Sequence, residues 1–170
     1  MDDIKRKLDR AYSIAQKEES YNQALEICNA IIAKGHYLED ALNTRARIHE
    51  LKGELISAVE DISSVIEINN NEPDYYFNRG RWYAGLGKFT EAVDDESRVL
   101  EFGKNSDFDY YDDSAYFFRA VGLLGLGKFQ EALSDLEHVE DDFLVYSSGL
   151  GKLTKESIER EARRLMNRNQ

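Results

Sequence analysis

Cysteine is almost missing from this chain: Cys28 stands alone, so no disulfide can form within it. Proline occurs once, at Pro73, and long periodic runs therefore proceed without the residue that breaks helices. No stretch approaches the roughly 18 consecutive apolar residues of a membrane span. The opening MDDIKRKLDRAY is charged where a secretory leader needs an apolar run, so a cytoplasmic setting is expected. Cations are in the minority, with 22 Lys and Arg against 33 Asp and Glu, for a net charge of −11. That balance argues against nucleic acid, whose phosphates demand a basic face. It favours solubility and leaves room for a cationic protein partner. Apolar residues make up 42% of the chain, enough for a core.

Catalytic signals are as scarce. His36, His49 and His138 show no metal-ligand spacing, and no nucleophile–base pair can be argued. The expectation is no enzyme, no metal and no cofactor. His49 falls on an inward position that Tyr83 and Leu123 fill further along, so it reads as a packed core side chain. Cys28 lies on an apolar stripe and reads as a small buried hydrophobe.

Repetition is what the chain does have. GLGKFTEAV (Gly85 to Val93) returns as GLGKFQEAL (Gly125 to Leu133). Aligned on the alanine of this run, Ala24, Ala58, Ala92 and Ala132 are spaced by 34, 34 and 40 residues. A period near 34 signals a stacked array. Gly53, Gly87 and Gly127 each stand five before the alanine, and Tyr21, Leu55, Phe89 and Phe129 each stand three before it. Ile4, Leu8, Ala11, Tyr12 and Ala15 form one helical stripe; Tyr21, Ala24, Leu25, Cys28, Ile31 and Ile32 form another. The glycines let the chain reverse with positive φ before each second helix. Gly80, Ala46 and Ala120, small on the first helices, allow close approach to the repeated alanine. A phosphate loop is the competing reading of GLGK. It requires G-x-x-x-x-G-K-[ST] after a strand, whereas Phe89 and Phe129 follow Lys88 and Lys128 in a helical context.

The 34-residue pattern, strongest in YFNRGRWYAGLGKFTEAVDD and FFRAVGLLGLGKFQEAL, resembles the tetratricopeptide repeat over about residues 5–146. The resemblance implies an all-α solenoid: a single domain of four helix–turn–helix hairpins, at about 5–38, 39–72, 73–106 and 113–146. Thr154 is a plausible N-cap for a closing helix at about 153–168, with Ile158, Ala162, Leu165 and Met166 on its apolar side and Arg160, Arg163, Arg164 and Arg168 elsewhere. Arrays need such a polar-faced cap.

Arg45, Arg79 and Arg119 share one position on the first helices; Asp61, Asp95 and Asp135 share one on the second. In the first repeat both are lost together, to Ala11 and Ile27. Joint loss is what direct contact predicts, and an Arg–Asp bridge is expected across each of the last three hairpins.

The family implies that a protein or peptide binds in a concave groove of first helices. Carried over by position, that groove comprises Arg6, Arg10, Lys17, Asn43, Arg47, Phe77, Asn78, Arg81, Phe117 and Phe118. Asn78 matches one residue of the clamp that some relatives use for chaperone tails. Ser114 and Phe118 stand where that clamp needs lysine and arginine, so chaperone-tail binding is not expected. An adaptor is the primary expectation. The alternative is an acidic stoichiometric inhibitor, such as an immunity protein against a basic toxin nuclease, using Asp94–Glu96, Asp107–Asp113 and Glu140–Asp142. Self-association is a third. The six extra residues near GKNSDFDYYDDSAY fail the calcium-loop pattern, since Asp112 and Phe118 replace its glycine and glutamate. They read either as a packing extension or as an acidic-aromatic contact for a basic partner.

Overall fold

A computed structural model describes residues 3–18, 20–104 and 112–168. The described residues are helical apart from one small hairpin and the connecting turns, and within each of two units successive helices pack against one another. The chain divides into two compact units, residues 1–72 and 73–170.

The first unit holds α1 (Asp3–Glu18), α2 (Tyr21–Ile32), α3 (Leu38–Lys52) and α4 (Leu55–Ile68). Leu8, Ala11, Ala15, Ala24, Cys28, Ile31, Ala41 and Ile48 form one buried cluster in it. These are largely the two apolar stripes of the sequence, each turned inward. Ala46 and Ala58 are fully buried.

The second unit holds α5 (Pro73–Gly85), α6 (Phe89–Lys104), α7 (Asp112–Gly125), α8 (Phe129–Leu136), strands β1 (Leu144–Ser147) and β2 (Gly151–Thr154), and α9 (Lys155–Arg168). Pro73 opens α5, where a missing N–H costs nothing. Asp112 and Asp113 open α7, where the helix dipole favours negative charge. Phe117, Phe118, Ala120, Leu123, Ala132, Leu136, Val139 and Ile158 lie in one buried cluster.

The repeated GLGK run is a helix stop. Gly87 has φ +72° and Gly127 φ +75°, and Gly53 matches them at +82°. At each, the glycine N–H donates to the carbonyl three back, and the next residue's N–H donates to the carbonyl five back: Gly87 to Ala84 and Lys88 to Tyr83, for example. This Schellman arrangement satisfies two carbonyls that the helix end would leave bare.

Two expectations are corrected. The second helix of the fourth hairpin ends at Leu136, and residues 144–147 and 151–154 form an antiparallel pair, with Val145 opposite Leu153 and Ser147 opposite Gly151. The last helix starts at Lys155, directly after Thr154, which caps it as expected: its Oγ1 accepts from the Ser157 N–H, and its own N–H donates to the Ser157 Oγ, both at 3.1 Å. His49 is the second correction. It is only partly buried, and its Nδ1 lies 2.8 Å from Glu54 Oε2, while the neighbouring Ile48 fills the core. Of the insertion, Asp107–Tyr111 lie outside the described residues.

Candidate functional site: the first-helix faces and their supports

Three arginine forks brace the helices. Arg45 Nε and Nη2 donate to Asp61 Oδ2 and Oδ1 at 2.7 and 2.6 Å. Arg79 donates likewise to Asp95, at 2.8 Å twice. Arg119 donates to Asp135 at 2.7 and 2.6 Å. All three aspartates are buried. The planar guanidinium matches a carboxylate with two parallel bonds, which lysine cannot do. Arg45 and Arg119 reach one helix further: Arg45 Nη1 donates to Asn29 Oδ1 at 2.7 Å, and Arg119 Nη1 to Ser97 Oγ at 3.4 Å. Asn29 and Ser97 occupy the same repeat position, one past the core site of Cys28 and Glu96. Each of these forks thus joins its own hairpin to the second helix before it. The bonds from Asp61 and Asp135 hold Arg45 and Arg119 still more firmly in the charged form.

In the first unit, α1 and α3 form a cleft of about 310 Å³ lined by Lys5, Leu8, Asp9, Asp40, Asn43 and Thr44. Lys5 and Asp40 stand 3.8 Å apart at its rim. Asn43 Oδ1 is buried there without a hydrogen-bond partner. Arg47 is exposed, and its guanidinium carbon sits 3.9 Å above the centre of the Tyr12 ring. Arg6, Arg10 and Lys17 are exposed on α1; Arg6 is 3.8 Å from Asp3.

In the second unit, Arg81 lies 5.2 Å from the Phe77 ring centre and 5.9 Å from that of Phe118, and its Nη2 donates to Asn78 Oδ1 at 3.3 Å. Phe77, Asn78 and Arg81 are half-buried. Phe117 and Phe118, expected to line a groove, are 0% and 1% exposed. Their rings meet edge to face at 5.6 Å, and Phe143 covers Phe117 at 4.8 Å. They are core side chains and offer a partner no surface.

One buried acid escaped the sequence reading. Glu96 is 0% exposed, and neither carboxyl oxygen has a hydrogen-bond partner. Its repeat position is filled elsewhere by Cys28, Ile62 and Leu136, all fully buried. Opposite stands Gly80, where Ala46 and Ala120 occupy the matching sites. A β-carbon on Gly80 would fall 2.6 Å from Glu96 Oε1, so glycine makes the room that the acid occupies. Burial pushes the Glu96 pKa well above the usual carboxylate range, with Asp95 adding to the effect and Arg81 and Arg119 opposing it. Comparing the four aligned positions is the signal that would have found it.

The acidic cluster Asp94–Glu96 is likewise corrected as a surface feature. Asp95 is bonded to Arg79 and Glu96 is enclosed. Glu140, Asp141 and Asp142 are exposed, and Lys155 Nζ binds Asp141 at 2.8 Å. Among the described residues, no three His, Cys, Asp or Glu side chains cluster so as to hold a metal ion. No helix among them is long and apolar enough to cross a membrane. No protein-family model matches this chain, and a search of curated proteins finds no match either.

Proposed function

We propose that the protein is a non-catalytic interaction module that holds a peptide or protein segment on the exposed faces of its first helices. One observation carries this reading: an arginine laid on an aromatic ring recurs at the same repeat position in each unit, as Arg47 on Tyr12 and Arg81 beside Phe77. A guanidinium held this way is already ordered, so less side-chain freedom is lost on binding. Arginine and aromatic side chains also dominate measured binding hot spots. Asn43 adds a buried acceptor on the cleft wall that a backbone N–H of an extended peptide would satisfy. The resemblance to tetratricopeptide repeats supports the same reading. A cytoplasmic setting suits the single buried thiol of Cys28.

The test is capture of peptides from an immobilised random library by the wild type and by the double variant Arg47→Ala, Arg81→Ala. The expected result is at least a tenfold loss of affinity in the variant; equal affinity defeats the reading. The acidic-inhibitor reading keeps the exposed Glu140–Asp142 run as its support. Its signature is binding to a basic protein that collapses between low and moderate ionic strength.

A further inference from the structure

We propose that the hairpin β1–β2 is a built-in strap, seated on the α5–α7 side of the second unit, that must lift before a peptide can reach the apolar part of that face. This rests on the peptide-binding reading above and adds its regulation. The connection from α8 to α9 runs from Glu137 to Thr154, far longer than the turns that join α3 to α4, α5 to α6 and α7 to α8. Its course is fixed at three places. At its entry, Phe143 lies on Phe117 of α7. Along its inner face, Val145, Leu150 and Leu153 pack on the cluster that contains Phe117 and Phe118, against which Phe77 and Tyr83 of α5 also pack. At its tip, Gly149 meets the far end of α5: a β-carbon there would lie 2.8 Å from the Gly85 carbonyl oxygen.

The cover explains a contrast between matching positions. Phe77 on α5 is half-buried, while Phe117, at the same place on α7, is wholly enclosed beneath Phe143. The strap itself is thin. Leu144 and Tyr146 on its outer face are 46% and 72% exposed, and two strands alone are marginally stable in water. Its base is tied separately. Lys155 Nζ donates to the Val139 carbonyl at 2.7 Å and to Asp141, and the Lys155 N–H donates to the Phe143 carbonyl at 3.2 Å. The tip can therefore lift while α9 stays in place.

Hydrogen exchange on the wild-type chain tests the strap without any ligand. The amides of Leu144–Ser147 and Gly151–Thr154 should exchange at least 100-fold faster than those of Ala120 and Val121 in α7, at a rate insensitive to low denaturant. Exchange of both sets together, only through global unfolding, overturns the proposal. A second measurement uses a labelled synthetic peptide of residues 142–154 as probe. Gly149→Val, with a side chain forced against Gly85 at φ +83°, should bind this peptide at least tenfold more tightly than wild type does; equal binding counts against the strap. Neither readout involves Arg47 or Arg81, so failure here leaves peptide capture standing, and failure of the arginine variants leaves the strap standing.

Discussion

Glu96 is the residue whose environment has the largest consequence. The native state holds its proton to higher pH than the unfolded chain does, because burial raises its pKa. Above the unfolded value of about 4.3, the native state binds more protons than the unfolded one, so this group's contribution falls as pH rises. The contribution is whole below that value and is lost as pH climbs through the raised native pKa. Exposed carboxylates work the other way: Lys7 lowers Asp3, and Lys52 with His49 lowers Glu54, so their support is lost as pH falls. The informative quantity is therefore the difference between wild type and Glu96→Gln. Urea unfolding should show the variant more stable at pH 8, by about 1–3 kcal/mol, with the gap closing toward pH 4. A gap independent of pH would mean that Glu96 is not titrating between the two states. Cys28 gives a simpler readout. Burial pushes its thiol up to about 12, against weaker opposition from Arg45, and the thiolate is the reactive form. Labelling by a thiol reagent at pH 8 should be negligible in the native state and fast in urea; fast native labelling would show that α2 is not packed as described.

At the scale of the element, the turn glycines separate backbone strain from packing. Gly87 has φ +72° and nothing within 4 Å of an added β-carbon, so Gly87→Ala should cost only the left-handed penalty, about 1 kcal/mol. Gly125 carries no positive φ, but a β-carbon there would overlap the Phe89 ring. Gly125→Ala should therefore cost more, about 1–3 kcal/mol of overpacking, and pairing it with Phe89→Leu should recover part of the loss. Thermal or urea unfolding of the three variants decides the order. The turns were legible in the sequence because a 34-residue period aligns glycine with glycine. The forks were legible for the same reason, since the arginine and aspartate vanish together at Ala11 and Ile27. The hairpin was not. Strands of four residues with Val145 and Leu153 as their inward apolar side chains carry too little periodicity to announce themselves, and what shapes them is Phe117 beneath. The same limit misplaced Phe117 and Phe118: repeat position shows which side of a helix a residue occupies, but not what the rest of the chain lays over it.

For the molecule as a whole, charge decides how salt acts, and two opposing effects must be weighed. Surface ion pairs such as Lys7–Asp3 and Arg164–Glu161 are more than one-third exposed, contribute little to stability in water, and weaken as salt screens them. Against them stands the self-repulsion of a chain with net charge −11, which salt also screens. Raising ionic strength from about 0.01 to 0.15 M shortens the screening length from about 30 to 8 Å. That change removes most long-range repulsion while leaving the directly bonded pairs partly intact. The net effect should be a rise in the melting temperature with salt. The buried forks supply an internal control. Asp135 is enclosed and Arg119 is 24% exposed, so Asp135→Ala strands a partly buried charge and should cost about 3–5 kcal/mol. Screening hardly reaches that pair, so the loss should be nearly the same at both ionic strengths. Scanning calorimetry of wild type and Asp135→Ala at the two salt levels separates the terms. Parallel upward shifts are expected. A wild-type melting temperature that falls with salt would show that the surface pairs outweigh the repulsion. A variant whose deficit shrinks with salt would show that the Arg119–Asp135 fork is open to solvent.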